Sequence, residues 1–201
     1  MSRPFILGLT GSIGMGKSTT AAMFAERGIP VYDADAAVRT LYAAVGSGAR
    51  IIADLFPDAI GEDGSVDRAR LRDHVLGQPD ALARLEAAIH PLVRGEEQRF
   101  LAHHADADLV ILDIPLLFET GGGARCDAVL VVSADPLVQR QRVLARPGMS
   151  EAAFAAILAK QMPDADKRAR ADFLIDTGLG LAGAEKQVDA LIARLAGSRI
   201  A

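Results

Sequence analysis

The chain has 201 residues, half of them hydrophobic, which suits one domain, or one domain with insertions, around a substantial core. Its formal charge of −4 argues against a nonspecific nucleic-acid binder, which would carry a basic surface. The single cysteine, Cys126, excludes an intrachain disulfide, and no run approaches the ~20 apolar residues that a membrane helix needs. The first residues lack a basic region followed by a long apolar stretch, so no secretory signal is expected and the expected setting is cytoplasmic.

Phe5 to Leu9 reads as a short buried strand. Gly11-Ser12-Ile13-Gly14-Met15-Gly16-Lys17-Ser18 follows and fits the phosphate-loop pattern G-x-x-x-x-G-K-[ST]. Thr19 to Gly28 then reads as a helix ending at its glycine. Strand, glycine loop and helix are the context in which backbone N–H groups at a helix N-terminus face an anion. Lys17 would place its ammonium on the outer phosphates, and Ser18 would hold Mg²⁺ through its hydroxyl.

Ile29 to Tyr32 is a second strand, followed by Asp33-Ala34-Asp35. Carboxylates just past a strand lie where α/β sheets bind ligands. Asp33 also reads as the N-cap of a helix from Ala34 to Val45, and the two roles are compatible. From there to His104 the pattern is helical with interruptions. Gly46-Ser47-Gly48 breaks the first helix, and Ala49 to Phe56 forms the next. Pro57 to Val66 is a loop, and Asp67 caps Arg68 to Leu76. Pro79 opens a helix that His90-Pro91 breaks or kinks, with helix resuming from Leu92 to about His103. His90 reads either as a partner for a carbonyl freed by Pro91 or as a ligand contact. A helical block this long between two strands is more than a crossover, and we read it as a substrate-binding insertion.

Leu109 to Asp113 is an apolar strand of the parallel-sheet type, ending in an aspartate as a Walker-B-like strand does. Asp113 would help hold Mg²⁺, directly or through water. Ile114 to Glu119 caps the core or forms a wall for a substrate. Ala128 to Val132 is the fourth strand. Asp135-Pro136 opens a helix with Arg140, Arg142 and Arg146, which Pro147-Gly148 stops. Ser150 caps another helix running to about Met162. This basic hairpin is where a closing lid would lie, and an arginine there can reach a transferring phosphoryl group. Asp164 to Ala171 is short and helical, Phe173 to Ile175 is the last strand, and Leu181 to Leu195 is an amphipathic helix.

Taken together the segments resemble the dephospho-CoA kinase family over nearly the whole chain. The carrying residues are Gly8 to Ser18, Asp33-Ala34-Asp35, Ile89-His90-Pro91, Asp113 to Glu119, Gln161 and Ala171 to Asp176. The resemblance implies a three-layer α/β phosphate-loop kinase fold with a parallel five-stranded sheet. It implies a core of residues 1–45, 105–135 and 171–201, a helical substrate-binding insertion at 46–104 and a helical lid at 136–170. It implies ATP-dependent phosphorylation of the 3′-hydroxyl of the dephospho-CoA ribose, the last step of coenzyme A synthesis, with Mg²⁺. Its partners would be ATP and dephospho-CoA, with no nucleic acid and no membrane, in a monomer or weak homo-oligomer. Gly11 to Thr19 and Gln161 would bind ATP. Asp33 would accept or orient the hydroxyl proton, Lys17 would neutralise phosphate charge, and Arg142 and Arg146 would close onto the phosphates. Asp35, His90, Leu116, Leu117, Phe118 and Glu119 would meet dephospho-CoA. The chain departs from the family pattern at Met15, where a small residue is common, at Pro147, where an acidic residue is common, and at Thr177, where Asn is usual. The alternatives are another phosphate-loop small-molecule kinase or a nucleotide switch. A GTPase is disfavoured, because the chain has no Asn with which to build a guanine-reading Asn-Lys-x-Asp motif.

Overall fold

A computed structural model describes residues 3–197. The chain divides into two compact units, one formed by residues 3–32 with 104–197 and the other by Asp33–His103. The second unit therefore contains the helix after Asp33 as well as residues 46–103.

The first unit is built on a five-stranded sheet in the order β2-β3-β1-β4-β5. Its strands are β1 (Phe5–Thr10), β2 (Val31–Asp33), β3 (Leu109–Asp113), β4 (Ala128–Ser133) and β5 (Phe173–Asp176). β1 is central and pairs in parallel with β3, Leu7 opposite Ile111, and with β4, Leu9 opposite Leu130. β4 pairs in parallel with β5. β3 and β4 are buried along their whole length, as strands covered on both faces must be. Alternate residues serve the two faces. Leu7, Leu9, Ile111, Leu130, Val132 and Ile175 pack with helix α1 (Lys17–Glu26) and the last helix, Gly180–Gly197. Val129 and Val131 pack on the opposite face with Leu117. β5 alternates in burial, as a sheet edge does, and leaves Leu174 exposed. Among the described residues no helix is long and apolar enough to cross a membrane.

The second unit is helical: α2 (Ala34–Leu41), α3 (Ser47–Leu55), α4 (Arg68–Val75) and α5 (Pro79–His103). Ile52, Phe56, Val66, Leu71 and Ile89 form its core. Three boundaries differ from the sequence-based expectation. α2 stops at Leu41, because the Tyr42 carbonyl accepts the Val66 N–H instead of continuing the helix. α3 starts at Ser47, and Gly46 packs directly on the end of α2. A Cβ there would lie 2.2 Å from the Leu41 carbonyl oxygen, so only glycine fits. α5 is one helix through Pro91 rather than two. A proline inside a helix costs about 3 kcal/mol. Packing of Leu85, Ile89, Leu92 and Val93 on the core, on both sides of the proline, offsets that cost.

The remaining helices of the first unit are α6 (Pro136–Leu144), α7 (Glu151–Leu158), α8 (Asp164–Ala169) and α9 (Gly180–Gly197). α7 ends at Leu158, short of Met162. Pro163 keeps the preceding residue out of the helical region, and the Met162 N–H goes to the Glu119 carboxylate.

Candidate active site

The phosphate loop leaves the carboxyl end of β1 and enters α1 through Gly16. Gly16 sits in the left-handed region at φ +88°, and a Cβ there would press on the Thr177 side chain at 3.1–3.2 Å. A residue other than glycine would be strained twice over. Met15 is buried, and its sulfur accepts the Ala134 N–H at 3.2 Å, so this larger side chain stitches the loop to the end of β4. Ser12 is buried, while Ser18 and Thr19 are exposed in the first turn of α1.

Lys17 lies with its Nζ 2.6 Å from Asp113 Oδ1, at the end of β3 beside the loop. Both side chains are largely buried, which strengthens the pairing. The ends of β1 and β3 are joined again by the Thr10 hydroxyl, which donates to the Pro115 carbonyl at 3.0 Å. A hydroxyl at Ser18 and a carboxylate at Asp113 are oxygen donors of the kind Mg²⁺ takes when phosphates and water supply the rest. Among the described residues no group of three or more His, Cys, Asp or Glu could hold a metal alone.

The lid arginines separate. Arg140 pairs with Glu151 and so joins α6 to α7. Arg142 donates to the Thr177 hydroxyl at 2.9 Å and to the Thr177 carbonyl at 2.8 Å. The Thr177 hydroxyl in turn lies 2.9 Å from the Met15 carbonyl, so one side chain fixes both the loop and Arg142. Arg146 lies beyond the end of α6 and is exposed. Both arginines line a cleft of about 290 Å³ that also has Gly14, Gly16, Thr19, Thr177 and Gly180 on its walls. Gln161 accepts the Ile13 N–H at 3.0 Å, and Gln139 donates to the Ile13 carbonyl at 2.7 Å.

Leu116 is exposed and Leu117 is fully buried in the core, so Leu117 presents no side-chain surface to a ligand. Phe118 is partly buried against the same core. Glu119 accepts the Met162 N–H at 2.8 Å and pairs with Lys167 at 2.7 Å. Burial alone would push the Glu119 carboxyl up; Lys167 and the backbone N–H groups outweigh it and hold the carboxyl below the usual carboxylate range.

In the second unit Asp33 caps α2, its Oδ1 accepting the Ala36 N–H at 2.8 Å, while Oδ2 meets Arg39 at 3.3 Å. Asp35 is exposed in the first turn of α2. His90 is exposed on α5. Gln139 and Lys167 escaped the sequence-based site, and Thr177 entered it only as a departure from a pattern. Their roles rest on partners far away in the chain, so no local signal marks them.

The sequence profile of the dephospho-CoA kinase family matches residues 5–182. A protein of Mesorhizobium japonicum named dephospho-CoA kinase is 59% identical over 196 residues, covering 96% of this chain and 98% of that one. One of Cereibacter sphaeroides with the same name is 58% identical over 193 residues, covering 96% of each. The crystal structure of a Thermus thermophilus protein superposes with a TM-score of 0.85 at 38% identity, covering 98% of each chain. The dephospho-CoA kinase of Campylobacter jejuni shares the fold, with a TM-score of 0.65 at 21% identity over 94% of this chain and 96% of its own.

Proposed function

The chain belongs to the dephospho-CoA kinase family and is an ATP-dependent phosphotransferase that makes coenzyme A from dephospho-CoA, and we propose that its phosphate loop, Asp33 and Arg146 carry the transfer to the acceptor 3′-hydroxyl while Arg142 meets the nucleoside end of ATP. The observation that carries this reading is the Lys17–Asp113 pair beside a glycine loop that opens a helix.

Phosphoryl transfer needs little covalent help from a protein, so catalysis is mainly positioning and charge stabilisation. Loop N–H groups between Gly11 and Thr19, other than those of Ile13 and Met15, which go to Gln161 and the Ser12 carbonyl, receive the phosphates together with the α1 N-terminus. Lys17 leaves Asp113 for the outer phosphate oxygens. Ser18 and Asp113 would hold Mg²⁺, directly or through water, and that ion when bound would neutralise charge on the β- and γ-phosphates. The cleft lined by Thr19, Arg142 and Thr177 suits the nucleoside end of ATP. Arg142, tied down by Thr177, is suited to that end, whereas the exposed Arg146 is free to reach phosphate oxygens. Asp33 takes or orients the acceptor hydroxyl proton. Asp35, His90, Leu116 and Phe118 contact dephospho-CoA.

ADP release from ATP and Mg²⁺, measured with dephospho-CoA and with a panel of nucleosides and nucleotides, tests this. Stimulation by dephospho-CoA, with coenzyme A as product, is expected. Stimulation by another acceptor alone would keep the phosphate chemistry and reassign the acceptor contacts.

A further inference from the structure

Glu119, which the family resemblance sets among the acceptor contacts, has both of its observed side-chain partners within the first unit. Its carboxylate turns toward the body of the first unit. Oε1 receives the Lys167 ammonium at 2.7 Å and the Met162 N–H at 2.8 Å. Lys167 is 0% exposed, and among the described residues its Nζ makes no well-aligned hydrogen bond, so the ion pair with Glu119 is its compensation for burial. The residue before Met162 is Gln161, whose side-chain oxygen takes the Ile13 N–H. On the other side of that residue Gln139 donates to the Ile13 carbonyl. Two glutamines thus hold Ile13 of the phosphate loop by its N–H and its carbonyl, and one of them adjoins the residue whose N–H Glu119 accepts.

We propose that Glu119, fixed by Lys167, is a positioning residue for the phosphate loop, acting through Met162 and Gln161 on the Ile13 backbone. Loop N–H groups can cradle phosphates only if the intervening peptide planes are turned the right way. Gln161 sets one of those planes, and Pro163 with the Glu119 anchor fixes where Gln161 starts. This deepens the kinase reading and rests on it for the identity of the bound nucleotide.

Two double variants separate positioning from mere stability, since both remove the buried charges together. Glu119→Gln with Lys167→Met keeps an oxygen for the Met162 N–H. Glu119→Leu with Lys167→Met does not. Direct titration with ATP and Mg²⁺ is expected to give wild-type affinity within about twofold for the first and a loss of about tenfold for the second, a loss typical of small misplacements. The KM for dephospho-CoA should stay within about twofold in both. The Ile13 amide should exchange with solvent faster in the second only. Equal, wild-type ATP affinity in both would overturn the proposal, as would a raised KM for dephospho-CoA with ATP affinity unchanged. Should the Leu variant not fold, Gln161→Leu provides the decision: ATP affinity must fall about tenfold, and an unchanged value refutes the proposal. A wild-type chain that bound ATP yet ignored dephospho-CoA would undo the acceptor assignment and leave these ATP measurements in force.

Discussion

Asp33 combines a structural and a chemical task that one substitution separates. Asn caps a helix as well as Asp does, so Asp33→Asn should leave the α2 cap intact while removing the proton acceptor and the exposed ion pair with Arg39. We expect kcat to fall by about 100-fold or more with ATP affinity nearly unchanged. Steady-state kinetics beside an ATP titration checks this, and near-normal turnover would remove Asp33 from the chemistry. Gly16→Ala acts by strain instead. A left-handed Ala costs about 1–2 kcal/mol, and its methyl would press on Thr177, which holds Arg142. Weaker ATP binding and a lower Tm should appear together. At this scale the sequence is legible where chemistry is local. Asp33, Asp67, Asp135 and Ser150 all cap helices with their side chains as their positions suggested. Lys167 and Glu119 lie far apart in the chain, and nothing near either one announces the pair.

Helix α5 shows what local rules miss at the level of elements. Pro91 removes one donor, yet apolar residues on both sides keep the helix seated on the second unit's core. Pro91→Ala should therefore stabilise that unit by about 2 kcal/mol, by restoring the donor and relieving the ring's clash with the preceding turn. Urea unfolding followed by circular dichroism would show it, and a destabilised variant would mean that the proline is needed where it stands. Strands were easier to read. β3 and β4 are unbroken apolar runs, and such runs lie at the middle of a covered parallel sheet. Helix ends were harder, because α2 and α7 stop where a distant group, Val66 or Glu119, takes a backbone partner.

For the molecule as a whole, one group in each unit carries an opposite dependence on pH. In the first unit Glu119 is held below its ordinary range, so its stabilisation is complete above the unfolded value, about pH 4, and is lost as pH falls through the folded value. In the second unit burial raises the Tyr42 hydroxyl, with Arg68 opposing in part. Its stabilisation is complete below the unfolded value, about pH 10, and is lost as pH rises through the folded one. Thermal melts across pH should show a shallower acid limb in Glu119→Gln with Lys167→Met and a shallower alkaline limb in Tyr42→Phe. The division into units also orders events during synthesis. β1 leaves the ribosome before its neighbours β3 and β4, which begin at Leu109 and Ala128. Leu7 and Leu9 must wait unpaired while the uninterrupted helical unit between them and β3 is made. Such distant pairings fold slowly, and apolar strands exposed meanwhile invite aggregation. The strand that launches the phosphate loop is thus made before the strands that pair with it and is among the last to be secured, which makes its mutations a hazard to yield before they are a hazard to catalysis.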